Sequence, residues 1–90
     1  NLAQRRRQRG ERAEAKPLTE EALQAAKETL GARHPDTLGS IYNMARLLKD
    51  MGELEEAKTL FEEAVQGATE TLGKDHPHTK IFQRGLDACA

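Results

Sequence analysis

The sequence predicts an all-α fold in which antiparallel helix pairs repeat along the chain. Three observations lead to this prediction. The composition favours residues that enter helices at little cost, and aromatic residues make up only 3% of the chain. Apolar residues recur at spacings of three and four in several segments. The sequence also resembles itself after a shift of 42 residues.

The repeat is clearest in TLGARHPDT at 29–37 and TLGKDHPHT at 71–79. When the chain is shifted by 42 positions, 20 of the 48 overlapping residues are identical. They include Gly, Asn and the His-Pro pair in a fixed order, which a shared helical composition alone does not produce. The sequence therefore predicts an α-solenoid of about two repeats in one domain. Its predicted parts are a partial first repeat at 1–31, a complete repeat at 32–73 and a partial third repeat at 74–90.

Five helices are predicted, at 1–9, 12–30, 35–51, 54–72 and 77–90. Pro35 and Pro77 stand at the start of two of them, where the fixed φ of proline suits a first helical turn. Glycine follows four of them, at positions 10, 31, 52 and 73, and glycine readily takes the positive φ that ends a helix. Because the connections are short, neighbouring helices are expected to lie antiparallel.

The two ends of the chain are more polar than the complete repeat between them. Arg6 stands where the next repeat has Leu48, and Thr19 stands where it has Phe61. One interpretation, which we favour, is that polar terminal helices cap the solenoid against water. The alternative is that the first helix is poorly formed.

Charge is distributed unevenly along the chain. Residues 1–16 hold six basic and two acidic residues, whereas 17–90 hold eight basic and thirteen acidic ones. The run RRRQR at 5–9 raises the alternative of a nuclear-localisation or nucleic-acid patch. However, aromatic residues are absent from the run and the rest of the chain is acidic, so nucleic-acid binding is not expected.

The sequence has no stretch of about 18 apolar residues and no signal-peptide pattern, so no membrane insertion is expected. Its single cysteine, Cys89, excludes an internal disulfide and fits a reducing compartment. We therefore expect an intracellular, cytoplasmic protein. The chain begins with Asn rather than Met, which leaves open a targeting segment ahead of it.

The residues give no sign of an enzyme. The imidazoles are His34, His76 and His78, and the last two could join Cys89 as metal ligands. Their spacing is i,i+2, however, whereas ligand pairs on a helix face are four apart. His34 and His76 are better interpreted as residues that cap or pack at helix starts. With no phosphate-binding loop and no apolar cleft for a carboxylate pair, we expect no catalytic residue, no cofactor and no metal.

The segment NMARLLKDMGELEEAKTLFEEAV at 43–65 resembles the helix pair of the tetratricopeptide repeat. With the linker TLGKDHPHT, it is similar to the 42-residue repeats of kinesin light chains and nephrocystin-type proteins. The resemblance covers nearly the whole chain. It implies a solenoid that acts by protein–protein interaction, with an asparagine on each first helix that binds peptide backbone.

The candidate binding surface is the ridge beside the core stripe of the first helices, which line the inner curve of a solenoid. The candidate peptide-binding residues are Asn1, Gln4, Arg7, Tyr42, Asn43, Arg46, Lys49 and Arg84. The resemblance implies that Asn1 and Asn43 pair with the ligand backbone, and the basic residues would meet acidic side chains. The alternative is an ordinary solvated ridge.

Two functions are consistent with these features. The first is a non-enzymatic module that binds a short, acidic, extended peptide on the concave face. The alternative is a structural or scaffold subunit that docks in a larger assembly through its end and outer surfaces.

Overall fold

The computed structural model describes the backbone of residues 2–89 and the side chains of residues 10–89. Within residues 2–89 the chain forms four α-helices and no strand. They are α1 (Leu2–Leu30), α2 (Pro35–Asp50), α3 (Leu54–Leu72) and α4 (Pro77–Ala88). Each helix packs against the next one along the chain. The prediction of an all-α fold made of helix pairs is therefore confirmed.

The prediction of five helices is wrong, because α1 continues through Gly10 and joins the predicted helices 1–9 and 12–30. Gly10 is helical, although Gly52, its equivalent one repeat later, ends the hairpin turn with a φ of 86°. The residues before Gly10 read QRRRQR and lack the apolar stripe that holds α2 against α3. Without that packing the helix simply propagates, since each added residue contributes a hydrogen bond. The residues predicted as a separate first helix are thus the beginning of α1.

The other helix ends follow the local signals. Gly31, Gly52 and Gly73 have φ values of 92°, 86° and 93°, as predicted for residues that end helices. At the next helix start, the Nδ1 atom of His34 accepts a hydrogen bond of 3.1 Å from the backbone N–H of Asp36. The same bond recurs at the start of α4, one repeat later. The interpretation of these histidines as helix caps is confirmed.

Replacing His34 by alanine is expected to lower the free energy of unfolding by about 1 kcal/mol, because an N–H of the first turn of α2 loses its acceptor. Urea denaturation followed by circular dichroism measures the loss. His34→Asn restores a capping acceptor and serves as the control. A His34→Ala protein as stable as wild type would contradict the capping role.

The core lies along α2, where it meets α1 and α3, and it extends to Phe82 of α4. The predicted stripe of α2 is buried, namely Leu38, Ile41, Met44, Ala45 and Leu48. Small residues of α3, among them Ala57 and Ala64, are completely buried where the two backbones approach. Two buried threonines were not predicted. The hydroxyl of Thr37 donates to the carbonyl of Ala26 at 3.3 Å, and that of Thr79 to the carbonyl of Gly73 at 2.8 Å.

Ion pairs connect α1 and the turn that follows it to α3 and to Glu53, the residue just before α3. Lys16 pairs with Glu53 at 3.1 Å, Lys27 with Glu63 at 3.2 Å, and Arg33 with Glu70 at 3.0 Å. The partners advance in the same direction along both segments. Hence α1 and α3 run parallel, with the intervening helix α2 opposed to both, as expected for the second helices of successive repeats.

The Lys16–Glu53 pair predicts a specific pH dependence. The hydrogen bond from Lys16 to Glu53 is the main cause that raises the pKa of Lys16 above that of an ordinary lysine. Because the pKa of Lys16 is higher in the folded state, protonated Lys16 stabilises the fold at pH values below its unfolded-state pKa of about 10.4. This stabilisation is lost as the pH rises through the folded-state pKa.

Lys16→Met should therefore be less stable than wild type at neutral pH, and the difference should disappear as the pH rises through the raised pKa of Lys16. Urea denaturation across this pH range measures both proteins. Lys58→Met, which removes an exposed lysine of α3, controls for the loss of a surface charge. A difference that grows at alkaline pH would contradict the assignment.

Candidate peptide-binding surface

The candidate surface is the side of α2 that faces away from the core. Asn43 and Arg46 are exposed on it, and Tyr42 and Lys49 are half-buried along its edge. Their spacing of three and four residues places all four on one side of the helix. The structure thus brings together these four predicted residues, and we refer to them as the α2 ridge.

Aromatic contacts fix the position of Tyr42 in the α2 ridge. Its ring centroid lies 5.0 Å from that of Phe82 on α4 and 5.7 Å from that of Phe61 on α3. The guanidinium carbon of Arg46 lies 5.7 Å from the centre of the Tyr42 ring, within the range of a cation–π contact. The ring therefore supports the arginine from below and leaves the edge of its guanidinium group able to donate hydrogen bonds.

Asn43 lines a hollow of about 310 Å³ between α1 and α2. The other lining residues are Ala15, Leu18, Thr19, Ala22 and Ser40. An exposed side-chain amide beside an apolar hollow offers a hydrogen-bond donor and an acceptor next to space for an apolar side chain. The sequence did not indicate this hollow.

Three of the predicted residues belong to the beginning of the chain. Asn1 lies outside the described residues, and the side chains of Gln4 and Arg7 are not among those described. The backbone of Gln4 and Arg7 continues α1. The prediction placed them on a separate first helix, and that helix does not form.

Arg84 lies apart from the α2 ridge. It lines a hollow of about 270 Å³ between α3 and α4, together with Lys74, Lys80 and Val65. Repeat equivalence put Arg84 in the place of Tyr42, but on the next first helix, α4. The position of Arg84 therefore groups it with two lysines instead of with Arg46.

The histidines and the cysteine are placed as structural residues. The ring of His76 lies 5.0 Å from that of His78, and its Nδ1 accepts the His78 backbone N–H. Cys89 is half-buried against the core. Among the described residues, no cluster of three His, Cys, Asp or Glu side chains is arranged to hold a metal ion. No helix in the described part of the chain is long and apolar enough to span a membrane.

The fold and the α2 ridge together define a class of protein, a stack of helix hairpins whose first helices present polar side chains. The sequence profile of the tetratricopeptide repeat family matches residues 1–36 and again residues 37–78. The chain therefore belongs to the tetratricopeptide repeat family, whose repeats generally act as non-enzymatic protein–protein interaction modules. A comparison with curated proteins gave no match. The division of the chain at 31/32 and 73/74 stays a prediction.

Proposed function

We propose that the α2 ridge binds a short, acidic peptide in an extended conformation. The observation that carries this proposal is the position of two side chains on the same side of α2. Arg46 lies over the Tyr42 ring, and the exposed amide of Asn43 lies one turn away. An arginine in this position binds a carboxylate through two parallel hydrogen bonds. The amide of Asn43 meets both polar groups of one peptide unit.

The narrower resemblance to kinesin-light-chain and nephrocystin-type repeats belongs to this proposal. It implies that the asparagine at position 43 is the residue that contacts the ligand backbone. A cytoplasmic location is also part of the proposal, since the single free thiol of Cys89 suits a reducing compartment. Lys49, at the edge of the α2 ridge, extends the positive charge along the ligand.

A titration with labelled peptides tests the proposal. The probe is a set of extended nonapeptides rich in Asp and Glu, with a lysine-rich set of the same length for comparison. Arg46→Glu should weaken binding of the acidic set by at least about tenfold, because an attractive charge pair is replaced by repulsion. Asn43→Ala should weaken it by about threefold to tenfold, the value of one or two hydrogen bonds.

Lys58→Glu makes the same charge reversal on an exposed position of α3 and should leave the affinity nearly unchanged at physiological salt. Unchanged affinity in both Arg46→Glu and Asn43→Ala would refute the proposal. Equal binding of acidic and lysine-rich peptides would refute its acidic specificity.

The second candidate function is structural, as part of a larger assembly. It is favoured by the large apolar side chains that the fold leaves in water, since Leu18 is 68% exposed and Leu54 is 47% exposed. Exposed apolar surface of this kind often marks an interface. Obligate co-purification with other subunits would support this function over peptide binding.

A further inference from the structure

Among the described residues, one face of α1 is not covered by a first helix of the repeat. On α3, Ala57, Phe61 and Ala64 are completely buried, because α3 packs between α2 and α4. The equivalent residues on α1, 42 positions earlier, are Ala15, Thr19 and Ala22, and none of them is buried. Leu18 lies among them and is 68% exposed. We call this set, Ala15, Leu18, Thr19 and Ala22, the bare face of α1.

The bare face is uncovered because α1 does not turn at Gly10. A turn at Gly10, like the turn at Gly52, would fold the preceding residues back along α1 as a first helix. Instead α1 continues through Gly10 to Leu2, so these residues extend the helix away from the bare face. In the part of the chain that the structure describes, no helix holds the position of a first helix on this face, which also forms one wall of the hollow beside Asn43.

The charges around the bare face are acidic. Glu11, Glu14 and Glu21 are exposed, and their spacing from Leu18 places them on the same side of α1. The basic residues of α1 from position 10 onward are directed to the other side. Lys16 and Lys27 pair with Glu53 and Glu63, and Arg12 donates to the carbonyl of Asp50 at 3.5 Å.

The chain itself carries a basic helical segment that suits this surface. Residues 2–10 form the other end of α1, and they contain four arginines and no acidic residue. We infer that α1 mediates antiparallel pairing of two copies of the chain. In this dimer the arginine-rich end of each α1 lies along the bare face of the other, in the direction that a first helix would take.

This arrangement has the self-complementarity that a two-fold symmetric interface requires. Each α1 offers one basic end and one acidic face, so both contacts form twice in an antiparallel pair. The apolar part of the contact is small, being essentially Leu18 with three small residues. The association is therefore mainly electrostatic, and it should weaken as salt shortens the range of charge interactions.

Sedimentation equilibrium of the whole chain tests the inference. At low ionic strength the mass should rise with concentration towards twice the 10.0 kDa of the chain, and it should fall again with added salt. Leu18→Glu should raise the dissociation constant of the dimer at least tenfold. Ile81→Glu, a matched change at an exposed position on α4, should leave it within twofold of wild type.

A charge-exchange pair identifies the partner surfaces. Glu14→Lys with Glu21→Lys in one protein, and Arg5→Glu, Arg6→Glu, Arg7→Glu and Arg9→Glu together in another, should each give a monomer. An equimolar mixture should restore a dimer. The face of the Glu→Lys protein, now basic, meets the end of the Arg→Glu protein, now acidic. The unchanged basic end of the Glu→Lys protein meets the unchanged acidic face of the Arg→Glu protein. A mixture that stays monomeric would overturn the inference.

Wild-type protein that stays at 10.0 kDa at every concentration and salt would also overturn it. Thermal denaturation then identifies what does cover the bare face. If Leu18→Glu destabilises that monomer, the chain's own beginning folds back over the surface. If the stability is unchanged, the surface is open to a different protein. Circular dichroism of each variant confirms that the helices are retained.

Discussion

Replacing Phe61 by alanine is expected to lower the free energy of unfolding by about 3–5 kcal/mol. The side chain is completely buried on α3 and lies against Tyr42 of α2 and Gly85 of α4. Its removal therefore leaves a cavity where three helices meet. A domain of this size is stable by only about 5–13 kcal/mol, so a large part of the stability would be lost.

Urea denaturation followed by circular dichroism measures this change, and Phe61→Leu is the control. Leucine retains most of the apolar volume, so the control should lose about half as much stability or less. Since Tyr42 rests on Phe61, the alanine variant should also bind the acidic peptides less well. A loss of stability below about 1 kcal/mol would show that Phe61 does not join the three helices.

Replacing Gly85 by alanine is expected to lower the free energy of unfolding by about 1–3 kcal/mol. Alanine normally stabilises a helix relative to glycine by about 1 kcal/mol, so the direction of this effect is diagnostic. A methyl group at Gly85 would overlap the ring of Phe61, which is held between helices and has no room to move. The clash therefore outweighs the gain in helix propensity.

Gly39→Ala provides the matched comparison within α2. A methyl group there meets no atom within 4 Å, so only the helix propensity changes. We expect a gain of about 0.5–1 kcal/mol, and hence opposite shifts of the melting temperature for the two variants. Shifts of the same sign would refute the close contact between Gly85 and Phe61.

Local signals in the sequence predicted the complete helix pair closely. The predicted bounds 35–51 and 54–72 differ from α2 and α3 by one residue in total, because proline, the capping histidine and Gly52 all act within a few residues of the helix ends. The same logic failed at Gly10, where the glycine allows a turn but nothing requires one. Whether the chain folds back depends on apolar packing, and the arginines before Gly10 remove it.

The candidate site was predicted in part for a similar reason. The spacing along α2 was enough to place Asn43 and Arg46 on one side of the helix. The support of Arg46 by Tyr42, and of Tyr42 by Phe82, depends on how α4 approaches α2, which spacing within one helix does not reveal.

A comparison of the two repeats would have revealed the close contact between Phe61 and Gly85. Where α3 has Phe61, the following first helix has Gly85, and where α1 has Thr19, the following first helix has Asn43. The large Phe61 is thus matched by glycine, and the smaller Thr19 is matched by the longer side chain of Asn43. This exchange of volume is visible in the aligned repeats alone.

This matched pair limits how the repeat can be multiplied. Tandem copies of residues 32–73 would set the amide of each copy against the phenyl ring of the copy before it, in space that only glycine fills between α3 and α4. A regular array therefore cannot keep both the ring and the amide in every unit. An asparagine at the position of Asn43 fits only after a unit that has a small residue, such as Thr19, at the position of Phe61. The order of units therefore determines where along an array a ligand can be held.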